Sequence, residues 1–365
     1  MDIEYLLALQ QWRMTMGADF ENALVLLFDT GATAAIALAV LVVYWCYDKE
    51  AGFLAASSFI LGNFANQLIK SVACVYRPWV LDSRVVPAEA ALPGATGYSF
   101  PSGHTVSNGA ILGSFAYTVR RKWPWLAALC VLLALLVGFS RNLLGVHTPQ
   151  DVLVGFAEAA LIVAFSVKLT AWLRVHRERD WLIALIALAL GAIALAVVSV
   201  KPYPLDYANG QLLMDPASMR KDCFEGVGLL WGFWIGWLCE RRWVNFEAKT
   251  ASKLEKALRI VFGALVAAAV LLALDPLLKA SLGLDWTKLV SRFLVLFGAT
   301  FVVPWAAKLM CRGRGMGSGS VDQTLLVRSQ PSPASVAWRT NRKSQQSPPW
   351  QSVFVRMKSV RGRLP

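Results

Sequence analysis

Three cations, two histidines and one carboxylate stand in three short groups between residues 70 and 151. Lys70 and Arg77 precede Pro78; His104 closes Pro101-Ser102-Gly103-His104; Ser140-Arg141 is followed by His147 and then Asp151. Each group lies at the end of a hydrophobic segment, so all three can meet at one membrane face. Fixed positive charge, a nucleophile and a proton donor are what phosphoryl transfer needs when no metal supplies the charge.

Lys70 and Arg77 are two turns apart if both are helical, which puts them on one face about 10 Å apart along the axis. Pro78 disfavours helix at Arg77 and predicts that the arginine sits at an exposed helix end. Taken alone, the pair fits phosphate binding and snorkelling to lipid headgroups equally well. In the second group the N–H groups of Ser102, Gly103 and His104 are expected at a helix N-terminus, where unpaired donors and the helix dipole favour an anion. Gly103 lets a phosphate oxygen approach the backbone closely.

The third group reads as a helix start, with Thr148 as N-cap, Pro149 in the first turn and Asp151 reaching back toward His147. A carboxylate against an imidazole fixes its tautomer and stabilises the imidazolium. Simple capping by Asp151 is the plainer account of this group until Arg141 and the other two are considered. Of the three histidines in the chain, only His176 falls outside these groups, among Arg174, Arg177 and Arg179; it reads as solvated.

The elements that must hold these residues are apolar. Of 365 residues, 56% are hydrophobic and 16% charged, far from the roughly 25% charged of a soluble domain. About nine hydrophobic segments and no strands are expected, near 30–47, 51–70, 105–119, 125–140, 151–173, 181–200, 225–239, 260–278 and 289–309. The fold class is therefore all-α: a polytopic transmembrane bundle with about seven to nine membrane segments. Residues 1–29 read as an amphipathic or interfacial region, 30–310 as the membrane domain with its core at about 51–173, and 311–365 as a disordered basic cytoplasmic tail. No cleavable signal is evident in the first residues.

Basic clusters follow the third, fifth, seventh and ninth segments, at Arg120-Arg121-Lys122, Arg174–Arg179, Arg241–Arg259 and Lys308–Arg314. Those ends are expected in the cytoplasm, which puts all three groups on the extracytoplasmic side of the membrane. The net charge of +13 is concentrated in the tail, and no nucleic-acid-reading module accompanies it. Anionic lipid headgroups are the partner expected there, and a solvated tail with no task is the plainer reading of its composition. The six cysteines show neither close pairing nor metal-type spacing.

The three groups, in this order and with these internal spacings, resemble the superfamily of type 2 phosphatidic acid phosphatases and vanadium haloperoxidases. The likeness is secure from Lys70 to Asp151. It extends loosely to an aromatic-acidic turn at Tyr44–Lys49 and to Gly97-Tyr98-Ser99-Phe100, and fades beyond about residue 310. The resemblance implies that His147 attacks phosphorus, that Asp151 orients it and that His104 protonates the leaving group. Lys70, Arg77, Ser102, Gly103 and Arg141 would hold the phosphoryl oxygens. It implies no metal and no cofactor. The expected substrate is a membrane lipid phosphate or diphosphate, and the oligomeric state is left open.

Two other readings stand beside this one. A lipid-phosphate binder or transporter could use the cations for recognition alone, although binding does not require a nucleophile with its orienting acid. Haloperoxidase chemistry on bound vanadate would need this site in a scaffold unlike the soluble members of that branch.

Overall fold

The structure is a computed structural model and describes residues 2–315 except 209, 250 and 251. Most of the expected tail thus lies outside the described residues. Fourteen α-helices carry the described chain. The first four are α1 (Asp2–Met16), α2 (Ala18–Phe28), α3 (Thr30–Cys46) and α4 (Lys49–Ala73), followed by the single-turn α5 (Pro78–Leu81). Next come α6 (Gly103–Val119), α7 (Pro124–Leu143), α8 (Pro149–Val175), α9 (Asp180–Val200) and α10 (Pro216–Cys239). The last are α11 (Lys253–Ala268), α12 (Asp275–Leu282), α13 (Leu284–Phe297) and α14 (Val303–Gly315). Between α9 and α10 a two-residue strand β1 (Tyr207–Ala208) pairs antiparallel with β2 (Gln211–Leu212). Among the described residues this small hairpin is the one departure from the strandless expectation. It sits in a connection, where no helical periodicity competes.

Six helical stretches are long and apolar enough to cross a bilayer: Ala18–Cys46, Pro124–Leu143, Pro149–Val175, Arg177–Val200, Lys253–Leu282 and Leu284–Met310. That is one fewer than the lower end of the expected seven to nine. The difference has a physical cause. α4 carries Asn63, Asn66, Gln67 and Lys70; α10 opens with Arg220, Lys221, Asp222 and Glu225; and α6 has only 17 residues. These three helices are shielded within the bundle instead, where Ile60, Ile111 and Phe233 are each about 1% exposed or less.

Helix ends follow from local chemistry. Asp48 caps α4 by accepting the N–H groups of Glu50 and Ala51, both at 3.1 Å. Ser252 and Glu255 form a reciprocal capping box on α11. Wider π-type turns occur at 240–244, 269–274 and 298–302. In the last of these the carbonyl of Ala299 accepts the buried Trp45 indole N–H at 2.7 Å, fastening α3 to the far part of the bundle. Trp45 lies in the main apolar cluster with Phe53, Phe233, Trp234 and Trp237, whose rings stack or meet edge-on.

The glycines of α10 explain how closely it approaches α13. A methyl group on Gly228 would lie 2.3 Å from the Leu289 carbonyl oxygen, and one on Gly232 would lie 2.4 Å from that of Phe293. Gly226 faces α4 at Asn63. Sequence alone left these glycines open to intramolecular packing or a dimer; the described contacts lie within one chain. Gly232→Ala is expected to cost about 1–3 kcal/mol, because the obstacle is backbone. A lower melting temperature of the detergent-solubilised variant would be the readout, and an unchanged one would contradict this packing.

Candidate active site

The ends of α4, α6, α7 and α8 converge, and a cavity of about 200 Å³ opens there. Its lining includes Lys70, Arg77, Gly103, His104 and His147. Three other residues proposed from sequence stand behind it: Ser102, Arg141 and Asp151 are each 1% exposed or less.

Arg77 is not on the helix that carries Lys70. α4 ends at Ala73, Cys74 takes a left-handed conformation (φ 48°), and an extended linker delivers Arg77 as the residue capping α5. Nor is it exposed, at 5%. Arg77 is extended (φ −69°, ψ 154°), as the pre-proline restriction requires, but the helix had already ended at Cys74, and the chain folds back over the cavity. The two cations are fixed by carbonyl groups. Lys70 Nζ donates to Tyr98 O at 2.7 Å. Arg77 donates to Gly97 O, Val146 O and Thr96 O at 3.0, 2.9 and 2.9 Å. Carbonyls hold a side chain in place without cancelling its charge. Burial, then the Arg77 charge, lowers the Lys70 ammonium to about 7, so it is charged only in part at neutral pH until an anion enters. Burial lowers the Arg77 guanidinium to about 10, so it is still charged at neutral pH.

His147 lies in the loop before α8 and is 2% exposed. Arg77 Nη1 donates to its Nε2 at 2.9 Å, which leaves Nδ1 as the protonated nitrogen, 3.3 Å from Asp151 Oδ2. Burial, then the Arg77 charge, pushes the imidazole well below its ordinary 6.5. Asp151 Oδ2 also accepts Ser99 Oγ–H at 2.5 Å and the Thr148 N–H at 2.8 Å. Thr148 and Asp151 complete the capping box. Asp151 thus caps the helix and faces the imidazole at once. The two accounts of it are compatible. Asn142 Nδ2 donates to the His147 carbonyl at 2.9 Å and steadies the same loop.

The expected anion nest at α6 is smaller than the sequence suggested. The Ser102 N–H is engaged by the Asp151 carbonyl at 3.0 Å, because the loop before α6 packs on the first turn of α8. Gly103 and His104 head the helix beyond it. Gly103 also faces Asn66, whose Oδ1 would lie 3.2 Å from an added methyl group. Arg141 is oriented by Ser140 Oγ, at 3.2 Å from Nε and 3.1 Å from Nη2.

Sequence reasoning missed Asp29. This residue sits at the bend between α2 and α3, is 4% exposed, and places Oδ1 2.8 Å from His104 Nε2 and 3.3 Å from Arg141 Nη1. The one acid in the otherwise uncharged residues 23–46 was the available signal. Arg13 secures the same N-terminal helices to the site. It pairs with Glu21 at 2.7 Å and donates to Leu143 O and Val86 O at 3.0 and 2.6 Å. Ser99 was noted only as part of a resemblance. Asp222, paired with Lys221 at 3.1 Å, also lines the cavity; sequence pointed only to the charged stretch Lys201–Glu225 as a whole, as an outer connection able to meet a headgroup.

Comparison with known families places this geometry. The PAP2 superfamily profile matches residues 51–175, which hold all eight residues proposed from sequence. A second profile, PAP2 superfamily phosphatase, transmembrane extension, matches residues 224–312. The chain belongs to the PAP2 superfamily. Among curated proteins, this PAP2 chain is 32% identical over 123 residues to an undecaprenyl-diphosphatase of Sulfolobus acidocaldarius, covering 33% of the chain and 56% of that protein. It is 36% identical over 101 residues to phosphatidylglycerophosphatase B of Bacillus subtilis, covering 26% and 48%. Over 109 residues it is 38% identical to undecaprenyl-diphosphatase BcrC of the same organism, covering 29% and 50%. The chain spans about half the length of these relatives. No solved structure matches it. Asp29 and Asp222 fall outside both matched stretches of this PAP2 protein.

Proposed function

We propose that the protein is an integral membrane phosphatase that hydrolyses a lipid phosphate or diphosphate through a phosphohistidine, without a metal. The observation that carries this reading is the His147 arrangement. Its Nε2 faces a cationic cavity while Nδ1 is turned to a buried carboxylate. A binding protein needs the cations but gains nothing from that pairing.

In the first step His147 Nε2 attacks phosphorus and the bond from phosphorus to the lipid-side oxygen breaks. The proton on His104 passes to the leaving oxygen. Asp151 stabilises the imidazolium, while Lys70, Arg77 and the N–H groups at Gly103 and His104 neutralise the equatorial oxygens. Arg141 contributes its charge from behind the cavity wall. In the second step His104 takes a proton from water, which attacks the phosphohistidine and releases inorganic phosphate and free His147. Cations and backbone donors do the work that a metal would do elsewhere.

The phosphoryl chemistry is the same for the diphosphate lipids and the glycerophosphate lipid in the relatives' names, so the class proposed here is a membrane lipid with a terminal phosphate. The basic connections support an orientation with the site on the extracytoplasmic side of the plasma membrane. Phosphate release from a panel of lipid monophosphates and diphosphates, with chelator present, tests the whole reading. Activity abolished by chelator alone would count against it.

The pH dependence follows from His147. Its pKa is displaced downward, so the ring stays neutral as pH falls through 6.5 and is lost as a nucleophile only further down. The acid limb of kcat/KM is therefore expected to have its midpoint below pH 6.5, measured with a soluble short-chain substrate. A midpoint at or above that value would contradict this environment for His147.

A further inference from the structure

A second and larger cavity, about 500 Å³, lies at the opposite end of the bundle from His147. It is framed by the same helices. α4 carries Lys49 here and Lys70 at the active site, while α8 carries Arg174 here and Asp151 there. At 1.5 Å per residue the two ends are roughly 30 Å apart, about the thickness of a bilayer's hydrocarbon core. The cavity therefore lies at the headgroup level of the other leaflet.

Its walls have two characters. Phe53, Leu173, Trp237 and Phe246 make it apolar inside. Lys49, Arg174, Arg177 and Arg241 rim it with four cations against the two carboxylates Glu50 and Glu247. Several of these charges are already matched. Lys49 pairs with the buried Glu240 at 2.8 Å, Arg174 with Glu50 at 2.7 Å and Arg241 with Asp180 at 2.7 Å. Arg177 is different. It makes no direct ion pair among the described residues, the Asp180 carboxylate acting on it only at longer range, and it donates instead to Asn245 Oδ1 at 3.3 Å.

An independent observation points to a ligand. Tyr44 and Thr170 both line this cavity and are 2% and 9% exposed, yet neither hydroxyl has a hydrogen-bond partner. Buried hydroxyl groups are ordinarily satisfied, and an orphan costs about 1–3 kcal/mol. Two such donors lining one cavity with a guanidinium that makes no direct ion pair ask for an acceptor-rich anion. The aromatic wall asks for an apolar chain attached to it.

We propose that this cavity binds an anionic phospholipid of the leaflet opposite the active site, with its phosphate between Arg177 and the hydroxyls of Tyr44 and Thr170 and an acyl chain against Phe53 and Trp237. The ligand is a phosphodiester lipid, bound and not hydrolysed, because no histidine lines this cavity. The Tyr44–Lys49 turn noted in the sequence forms one side of the site.

The test uses the full-length protein reconstituted in phosphatidylcholine nanodiscs, with phosphatidylglycerol titrated in and retained lipid counted by native mass spectrometry. Arg177→Gln and Tyr44→Phe are compared with the unaltered chain. Losing one charge-assisted bond should weaken phosphatidylglycerol retention about tenfold in Arg177→Gln, with a smaller loss in Tyr44→Phe. Arg177 is exposed in a short turn, so its replacement leaves the core intact, and Tyr44→Phe keeps the ring. Both variants also keep the basic tail, so tail-bound lipid cannot account for a difference. Retention equal to the unaltered chain in both variants would overturn the proposal. Displacement of the lipid by millimolar glycerol phosphate or inorganic phosphate would overturn it too, since the site would then recognise a free anion.

Discussion

Replacing His147 with Ala is expected to abolish phosphate release, by roughly 10³-fold or more, while leaving the protein folded and able to bind lipid phosphate. The argument is structural before it is chemical. His147 is held by its own carbonyl on Asn142, by Asp151 at Nδ1 and by Arg77 at Nε2. Removing the ring leaves Lys70 and Arg77 on their backbone carbonyls, so the cationic cavity survives without its nucleophile. Affinity for a non-hydrolysable lipid phosphonate should then change far less than turnover.

Trapping with a terminally labelled substrate, quenched by denaturation in alkali, adds a direct reading. The unaltered protein should carry acid-labile, base-stable label, and His147→Ala should carry none. Release within tenfold of the unaltered protein, or label persisting in the variant, would remove His147 from the nucleophile's place. A lipid-phosphate binder predicts a third pattern, with no release in either protein and equal affinity in both.

The bundle was legible in the sequence because apolar runs and basic connections leave little choice of architecture. All nine expected segments are helices. The span count was too high because length was read without polarity. α4 and α10 are long enough to cross, yet they carry the amides and charges that face the cavity, and only burial among neighbours makes such helices tolerable.

The local reading at Thr148–Asp151 succeeded because a capping box is decided within four residues. Arg77 and Ser102 went differently for one reason. Both depend on what packs against them from elsewhere: Val146 and Thr96 draw the arginine inward, and Asp151 engages the Ser102 N–H. Helix periodicity says nothing about such contacts. Asp29 is the extreme case, since its partner His104 lies about 75 residues further along. The basic tail falls mostly outside the described residues, and its expected affinity for anionic lipids rests on composition alone.

Asp29 gives the second large effect. His104 and His147 each face one buried carboxylate: Asp29 at 2.8 Å from Nε2 in the first case, Asp151 at 3.3 Å from Nδ1 in the second. With Nε2–H directed at Asp29, the opposite ring nitrogen is the one that can give a proton to the leaving oxygen. Asp29 is therefore a positioning residue for the proposed acid, acting through His104 and, at 3.3 Å, through Arg141. Asp29→Asn keeps the size and one hydrogen bond but removes the charge that favours a protonated His104. General acid catalysis contributes about 10²–10⁴-fold, and losing part of it should lower kcat by roughly 10²-fold with little change in KM. The alkaline limb of the pH–rate profile should move to lower pH, since the proton on His104 is then held less firmly. A merely structural Asp29 would lower the amount of folded enzyme without moving that limb. Substrates with a better leaving group discriminate further: an aryl phosphate needs little protonation, so Asp29→Asn should impair it far less than the lipid. Equal impairment of both substrates, with the alkaline limb unmoved, would reduce Asp29 to a support of the N-terminal helices. The stronger result would mean that residues outside the matched PAP2 stretch help to set the site's proton chemistry.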